Sequence, residues 1–306
     1  MRALALFLAA IVATLCLAAP LAYPLFELLH PLNPAWPFHK IAERLWQLLM
    51  LGGLALAVVR LGLTSRVDWG YGAPRAIFIR QCLIGLALGI VSMLPVSAIL
   101  IATGIRPLLP DLSLARVGSL VLAGLGSGLA VGVVEETFYR GLMQGAAVKE
   151  LRARGRSALP AIAAVALIYA ALHFPARETI PSQLVNAASG FKMLAAVGAK
   201  FVDFPSIADA FLTLTAVGML LGLARDFTGS VAVGIGLHAG WVAVMRLTIG
   251  ATRVNPDSLY RALVSASDGY TGWLVLAWTI AVTAALLAAR SALAPWRAPG
   301  VSPRSP

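Results

Sequence analysis

Apolar stretches of about 20 residues recur along this 306-residue chain, and nothing else in the sequence constrains its fold as strongly. A stretch that long and uncharged suits hydrocarbon better than a soluble core. In hydrocarbon the backbone has to satisfy its own hydrogen bonds, so each stretch reads as a helix. Eight spans are expected, at roughly 3–26, 41–63, 81–104, 117–147, 158–175, 207–226, 229–249 and 270–290. The fold class is therefore all-α: a polytopic integral membrane protein with its helices in one bundle. Charged residues make up 12% of the chain, against about a quarter in soluble domains. The net charge of +11 does not indicate nucleic acid, because the arginines mostly flank apolar runs.

The first run continues to about Leu29, which is long for a signal peptide, so it reads as an uncleaved span. Basic residues favour the loops after spans 2 and 4 (Arg60, Arg66, Arg75, Arg80; Lys149, Arg152, Arg154, Arg156) and the tail. That bias expects both termini in the cytoplasm. Cys16 and Cys82 both lie in apolar runs and read as packing residues. Residues 176–206 form the longest connection, too polar to span and suited to the interface or to covering a site. The expected divisions are 1–116 (helices 1–3), 117–250 (a core of helices 4–7), 251–291 (the last helix) and 292–306 (a flexible cytoplasmic tail).

Span 4 carries Glu135, Glu136 and Arg140 in the stretch GVVEETFYRG. Each charge at mid-helix costs roughly 2.5–3.5 kcal/mol on insertion scales. Glu136 and Arg140 are four residues apart, share a helix face and can pair. They continue a stripe of Gly124, Gly128 and Gly132 that lets a neighbouring helix come close. A buried ion pair that locks the bundle and a direct part in chemistry stand level as readings of the two. Glu135 points about 100° away and has Val131 and Tyr139 at its four-residue neighbours, so it reads as functional.

Of four histidines, His30 and His39 flank the first short loop beside Pro and Trp and read as interfacial. His173 and His238 lie inside apolar runs. If spans 4 and 5 form a hairpin turning near Gly155, Glu135 and His173 lie about 30 and 27 Å from the turn. His238 enters at about 14 Å along span 7, a similar layer once the polar extension of span 4 is allowed for. Two histidines in a bundle that also buries two glutamates, with Glu135, His173 and His238 at one depth, favour a site over isolated packing residues.

In order, Glu135-Glu136-x-x-x-Arg140, Tyr169-x-x-x-His173 and GLHAGW around His238 resemble the CPBP family. These are the CAAX-protease and bacteriocin-processing (Abi) intramembrane endopeptidases, and the resemblance covers roughly 117–250. It implies peptide-bond hydrolysis in a membrane cavity. Glu135 and His173 would activate water, His238 would stabilise the oxyanion, and Glu136 and Arg140 would support them. Two positions depart from the family pattern: Tyr169 stands where phenylalanine is usual, and Val242 where Asn or Asp follows the third-motif histidine. Loss of one oxyanion donor can cost ~2.7–4 kcal/mol of transition-state stabilisation.

The chemistry also reads directly from the residues. A carboxylate in a low-dielectric site can take a proton from water, and a histidine can hold that water or protonate the leaving amine. Glu135, His173 and His238 are also a plausible zinc set. With no HExxH pairing and no evident fourth ligand, the metal-free glutamate mechanism is favoured, and no cofactor is expected. The expected partners are the lipid bilayer and a membrane-associated protein or peptide substrate, with no nucleic acid. The Ala-, Leu- and Arg-rich composition suits multi-pass placement in a bacterial inner membrane. The alternatives are a transporter, whose proton relays also use Glu and His, and a non-catalytic CPBP-like scaffold, which Val242 keeps open.

Overall fold

The computed structural model describes residues 1–174, 179–266 and 268–289, and the expected 292–306 tail lies outside them. Ten α-helices are present among the described residues, and no strand beyond one isolated bridge between Leu108 and Thr252. They are α1 Arg2–Leu29, α2 Phe38–Arg60, α3 Arg75–Ala102, α4 Leu114–Glu135, α5 Gly145–Arg152, α6 Leu159–Ala171, α7 Ser189–Val202, α8 Ala208–Thr228, α9 Ala232–Ala251 and α10 Trp273–Ala288. This is a multi-pass, all-helical membrane protein.

Among the described residues six helical rods are long and apolar enough to cross a membrane: α1, α2, α3, the continuous stretch Leu114–Arg152, α8 and α9. The expected fifth and eighth spans appear as α6 and α10, apolar helices of 13 and 16 residues, short of the roughly 20 that a crossing takes. α6 was expected to run to about residue 175 but stops at Ala171. Phe174 precedes a proline in the sequence, and the residue before proline is pushed out of the helical region.

The chain forms two compact units. One comprises residues 1–64 and 171–205, in which the α1–α2 hairpin packs with the amphipathic α7. Gly190 of α7 lies so close to the Ala19 carbonyl that a Cβ there would run into it.

The second unit comprises the described residues of 65–170 and 206–289. Its central element is α9, with 61% of its apolar window buried, where no other membrane-length helix exceeds 39%. α9 is held on both sides by glycine faces. The expected Gly124, Gly128 and Gly132 stripe of α4 meets Ala243, Ala239 and Ile235, with Ala239 Cα 3.0 Å from where a Cβ of residue 128 would sit. On the opposite side Gly85 and Gly89 of α3 interleave with Gly236 and Gly240 of α9. With lipid as solvent there is no hydrophobic drive between helices, so such close backbone packing has to supply the attachment. The outward face of α4, including Leu122 and Val134, is exposed and apolar, as hydrocarbon contact requires.

Loops tie the ends of this unit together. Asp68 accepts from the Ser65 hydroxyl at 2.6 Å and lies 3.4 Å from Lys149, joining the segment before α3 to α5. At the other end Arg106 is buried and donates to Thr252 at 2.9 Å and to the Gly269 carbonyl at 2.9 Å.

Candidate functional site

The site residues of span 4 fall where the helix changes its winding. α4 ends at Glu135, and Glu136–Gln144 is π-helical before α5 resumes. Such segments are uncommon and recur at functional sites. The change buries Glu136, Tyr139, Arg140, Gly141, Leu142, Met143 and Gln144, nearly a full turn of the helix surface. Gly141 allows it, since a Cβ there would strike the Trp69 carbonyl of the preceding loop. Gln144 donates to the Gly222 carbonyl at 2.8 Å and closes the segment's far end against α8.

Glu136 is fully buried and lies 3.1 Å from Arg140 Nη1. The guanidinium is gripped by two aromatic rings, with Cζ 4.4 Å from the Tyr169 centroid and 5.5 Å from that of Tyr139. The two rings meet edge to face at 5.1 Å. Position 169 thus joins α6 to the ion pair by a cation–π contact. Sequence reasoning missed this role. Its only signal was the pair of tyrosines, one beside Arg140 and one in the second motif. Also missed was Gly234, whose absent side chain makes room for the Glu136 carboxylate.

His238 of α9 enters this cluster beside Gly132 of α4, which leaves space for its Cβ. Its Nδ1 lies 3.5 Å from Glu136 Oε1, and its Nε2 lies 3.9 Å from Glu135 Oε2. The imidazole therefore stands between two carboxylates. Glu135 is the more accessible, with a side chain 22% exposed against 0% for Glu136. The span from Nε2 to Oε2 is wide for a direct hydrogen bond and suits a bridging water.

Glu135, Glu136, Arg140 and His238 are thus brought together within one compact unit. His173 lies in the turn two residues past α6, is exposed, and belongs to the other unit. The two outlying histidines sit at the α1–α2 hairpin. His30 stacks on Phe26 at 4.5 Å, with Nδ1 3.3 Å from the Trp36 carbonyl, while His39 lies in the first turn of α2.

Val242 lies one turn after His238, its Cβ 3.1 Å from where a Cβ of residue 128 would sit, so it faces α4. The neighbouring Trp241 directs its indole N–H away, donating to Ser92 of α3 at 3.0 Å.

The expected zinc set takes Glu135 and His238 from this unit and His173 from the other. Among the described residues no group of three His, Cys, Asp or Glu is arranged to hold a metal.

Residues 117–244 match the family model for Type II CAAX prenyl endopeptidase Rce1-like proteins. No curated protein and no solved structure matches the chain. The matched range contains Glu135, Glu136, Arg140, Tyr169, His173, His238 and Val242.

Proposed function

We propose that this chain, which carries an Rce1-like domain over residues 117–244, is an intramembrane endopeptidase acting on a membrane-associated protein or peptide. The observation that carries the reading is His238 standing between the carboxylates of Glu135 and Glu136 inside that domain. Glu135 is the general base: it takes a proton from a water that it shares with a histidine, and the resulting hydroxide attacks the peptide carbonyl carbon. The motif resemblance, and not the geometry of the described cluster, gives His173 the second water-orienting role. The oxygen of the attacked carbonyl becomes an oxyanion, and His238 donates to it through Nε2–H while Nδ1–H is directed at Glu136. The oxyanion then re-forms the carbonyl, the C–N bond breaks, and the proton held by Glu135 passes to the leaving amine. The products are a carboxylic acid and an amine, which ionise to carboxylate and ammonium by transfer of the acid proton, and no metal enters any step.

The Arg140 guanidinium, 3.1 Å from Glu136, compensates the buried carboxylate that His238 Nδ1 faces. Arg140 acts on the reaction only through Glu136, and Tyr169 and Tyr139 act through Arg140.

The test is cleavage of a panel of membrane-anchored peptides by the purified full chain, with Glu135→Gln and His238→Ala as controls. Wild-type cleavage that falls at least a hundredfold in both variants supports the reading. Cleavage insensitive to Glu135→Gln would refute the assignment of the base. Absence of cleavage across the panel would favour the non-catalytic scaffold that Val242 suggests. Inhibition by a chelator and recovery with zinc would refute the metal-free mechanism.

A further inference from the structure

A strap of residues 65–73, without helix or strand, leads into α3 within the second unit. It folds on itself. The Ser65 hydroxyl donates to Asp68 at 2.6 Å, the Asp68 N–H donates back to Ser65 Oγ at 3.1 Å, and the Tyr71 N–H donates to the Arg66 carbonyl at 2.8 Å. From this loop, contacts run along one side of the π-helical stretch and α5 at four-residue intervals. Tyr71 Oη lies 2.6 Å from Thr137 Oγ1, and the Trp69 carbonyl packs against Gly141. The Asp68 carbonyl lies 3.4 Å from where a Cβ of residue 145 would sit, and Asp68 Oδ1 lies 3.4 Å from Lys149 Nζ. The strap thus follows the segment that carries Glu136 and Arg140 from one end to the other.

Two adjacent strap residues fasten the two sides of the cluster. The Gly70 carbonyl accepts from the Val231 N–H at 3.1 Å. Val231 is the N-cap of α9, about two turns before His238. Gly70 has a φ of +86°, and a Cβ there would meet Val231, so the approach suits glycine alone. Tyr71 fastens the carboxylate side. The Thr137 hydroxyl has one proton and donates it to the Val133 carbonyl at 2.6 Å, so the Tyr71 hydroxyl is the donor to Thr137 Oγ1. Thr137 directly follows Glu136. A hydroxyl bonded to a carbonyl four residues back tends to bend a helix, and this one sits where α winding gives way to π winding. The Tyr71 ring is itself fixed, stacked on Phe78 of α3 at 5.2 Å.

We infer that Tyr71 is a positioning residue for the hydrolysis proposed above. Through Thr137 it holds the join between the α and π windings, and so it sets how Glu135 and Glu136 approach His238. Gly70 registers His238 from the other side through Val231. Tyr71 acts only through Thr137 and moves no proton in the reaction. The inference rests on the peptidase reading. The separation at stake is the 3.9 Å between His238 Nε2 and Glu135 Oε2, where a misplacement of about 1 Å can cost on the order of a hundredfold in rate.

The experiment uses the full chain and one cleavable membrane-anchored peptide. Tyr71→Phe deletes the hydroxyl and keeps the ring on Phe78. It should lower kcat about tenfold and leave KM within about twofold. Thr137→Val deletes the acceptor and should cost a similar factor, and the double variant should lose no more than either single one, because both break the same bond. Thr137→Ser keeps the acceptor and should keep wild-type kcat. An unchanged kcat in Tyr71→Phe, a change confined to KM, or losses that multiply in the double variant would overturn the inference. Hydrogen–deuterium exchange supplies a readout that needs no cleavage. Peptides covering 136–144 should exchange about fivefold faster in Tyr71→Phe, the loss of one ordinary hydrogen bond, with α8 unchanged. Equal acceleration in every helix would mark a general loss of stability and overturn the inference. No cleavage by wild type would overturn the peptidase reading, and exchange would then decide the hold of Tyr71 on the segment: faster exchange at 136–144 supports it, and unchanged exchange overturns it.

Discussion

Arg140→Met removes the guanidinium that lies 3.1 Å from a carboxylate with no exposed surface. At that separation and an effective dielectric of about 20, the attraction is ~5 kcal/mol. The cation–π contact with Tyr169 at 4.4 Å contributes ~1–2 kcal/mol more. Methionine recovers some of this by packing its apolar chain between the two tyrosine rings. The expected net loss is ~3–5 kcal/mol, the range for breaking a buried pair from one side. Most of it arises from Glu136, left charged and enclosed. Removing the second charge as well should therefore help. Glu136→Gln with Arg140→Met should recover to within ~1–2 kcal/mol of wild type, because two neutral groups carry little desolvation penalty. Stability would be read from unfolding in mixed micelles as the fraction of SDS is raised, followed by far-UV circular dichroism. A single variant within ~1 kcal/mol of wild type would show that the ion pair does not hold this part of the bundle. A double variant as unstable as the single one would show that the loss comes from packing and not from the stranded charge.

Other positions give further tests. Gly128→Leu should separate α4 from α9, since a Cβ alone would already meet the Ala239 carbonyl at 2.7 Å; a loss above ~2 kcal/mol is expected from overpacking, and unchanged SDS unfolding would contradict it. Val242→Asn adds an amide one turn from His238, and if a donor is lacking there turnover should rise roughly ten- to a hundredfold with little change in KM; an active wild type unimproved by asparagine would mean that another group already serves. The Ser65 hydroxyl, Asp68's closest partner at 2.6 Å, holds the Asp68 carboxyl below the usual carboxylate range. A depressed folded value means the anchor is intact above the unfolded value of about 4 and is lost as pH falls below it through the folded one. Limited proteolysis of the segment before α3 should therefore accelerate as pH falls below about 4 in wild type, and Asp68→Asn should show no such step. The same pH step in Asp68→Asn would assign the effect to another group.

The membrane class was legible because the demand that creates it is written in unbroken apolar runs, and six such runs became helices of crossing length. The fifth run is longer than the helix it forms, because hydropathy continues past the point where that helix stops. Leu172, His173 and Phe174 extend the apolar window, yet the helix ends at Ala171. The glycine stripe of α4 was readable as a close-contact face, but not that its partner is α9, since spacing on one helix carries no address for another. The spacing of Glu136 and Arg140 suggested their pairing, and the pair is present. The π-helical winding that buries them was hidden because an apolar run with a tolerant glycine looks the same in either winding. The aromatic grip on Arg140 was equally hidden, since it joins α6 to the π segment through rings 30 residues apart in sequence.

The glycine-lined seat of α9 has a consequence for how the protein is made. Translation delivers α3 and α4 well before residues 232–251 leave the ribosome, so both wait in the bilayer with their glycine grooves open to lipid. The groove of α4 ends at the two glutamates, which during that interval have no imidazole between them. His238 arrives only as the last wall of the groove slides in. A nascent chain is thus unable to present an assembled carboxylate–histidine cluster to its neighbours before its own packing is nearly complete. Onset of activity, measured on chains released at increasing lengths, should be abrupt and coincide with insertion of α9.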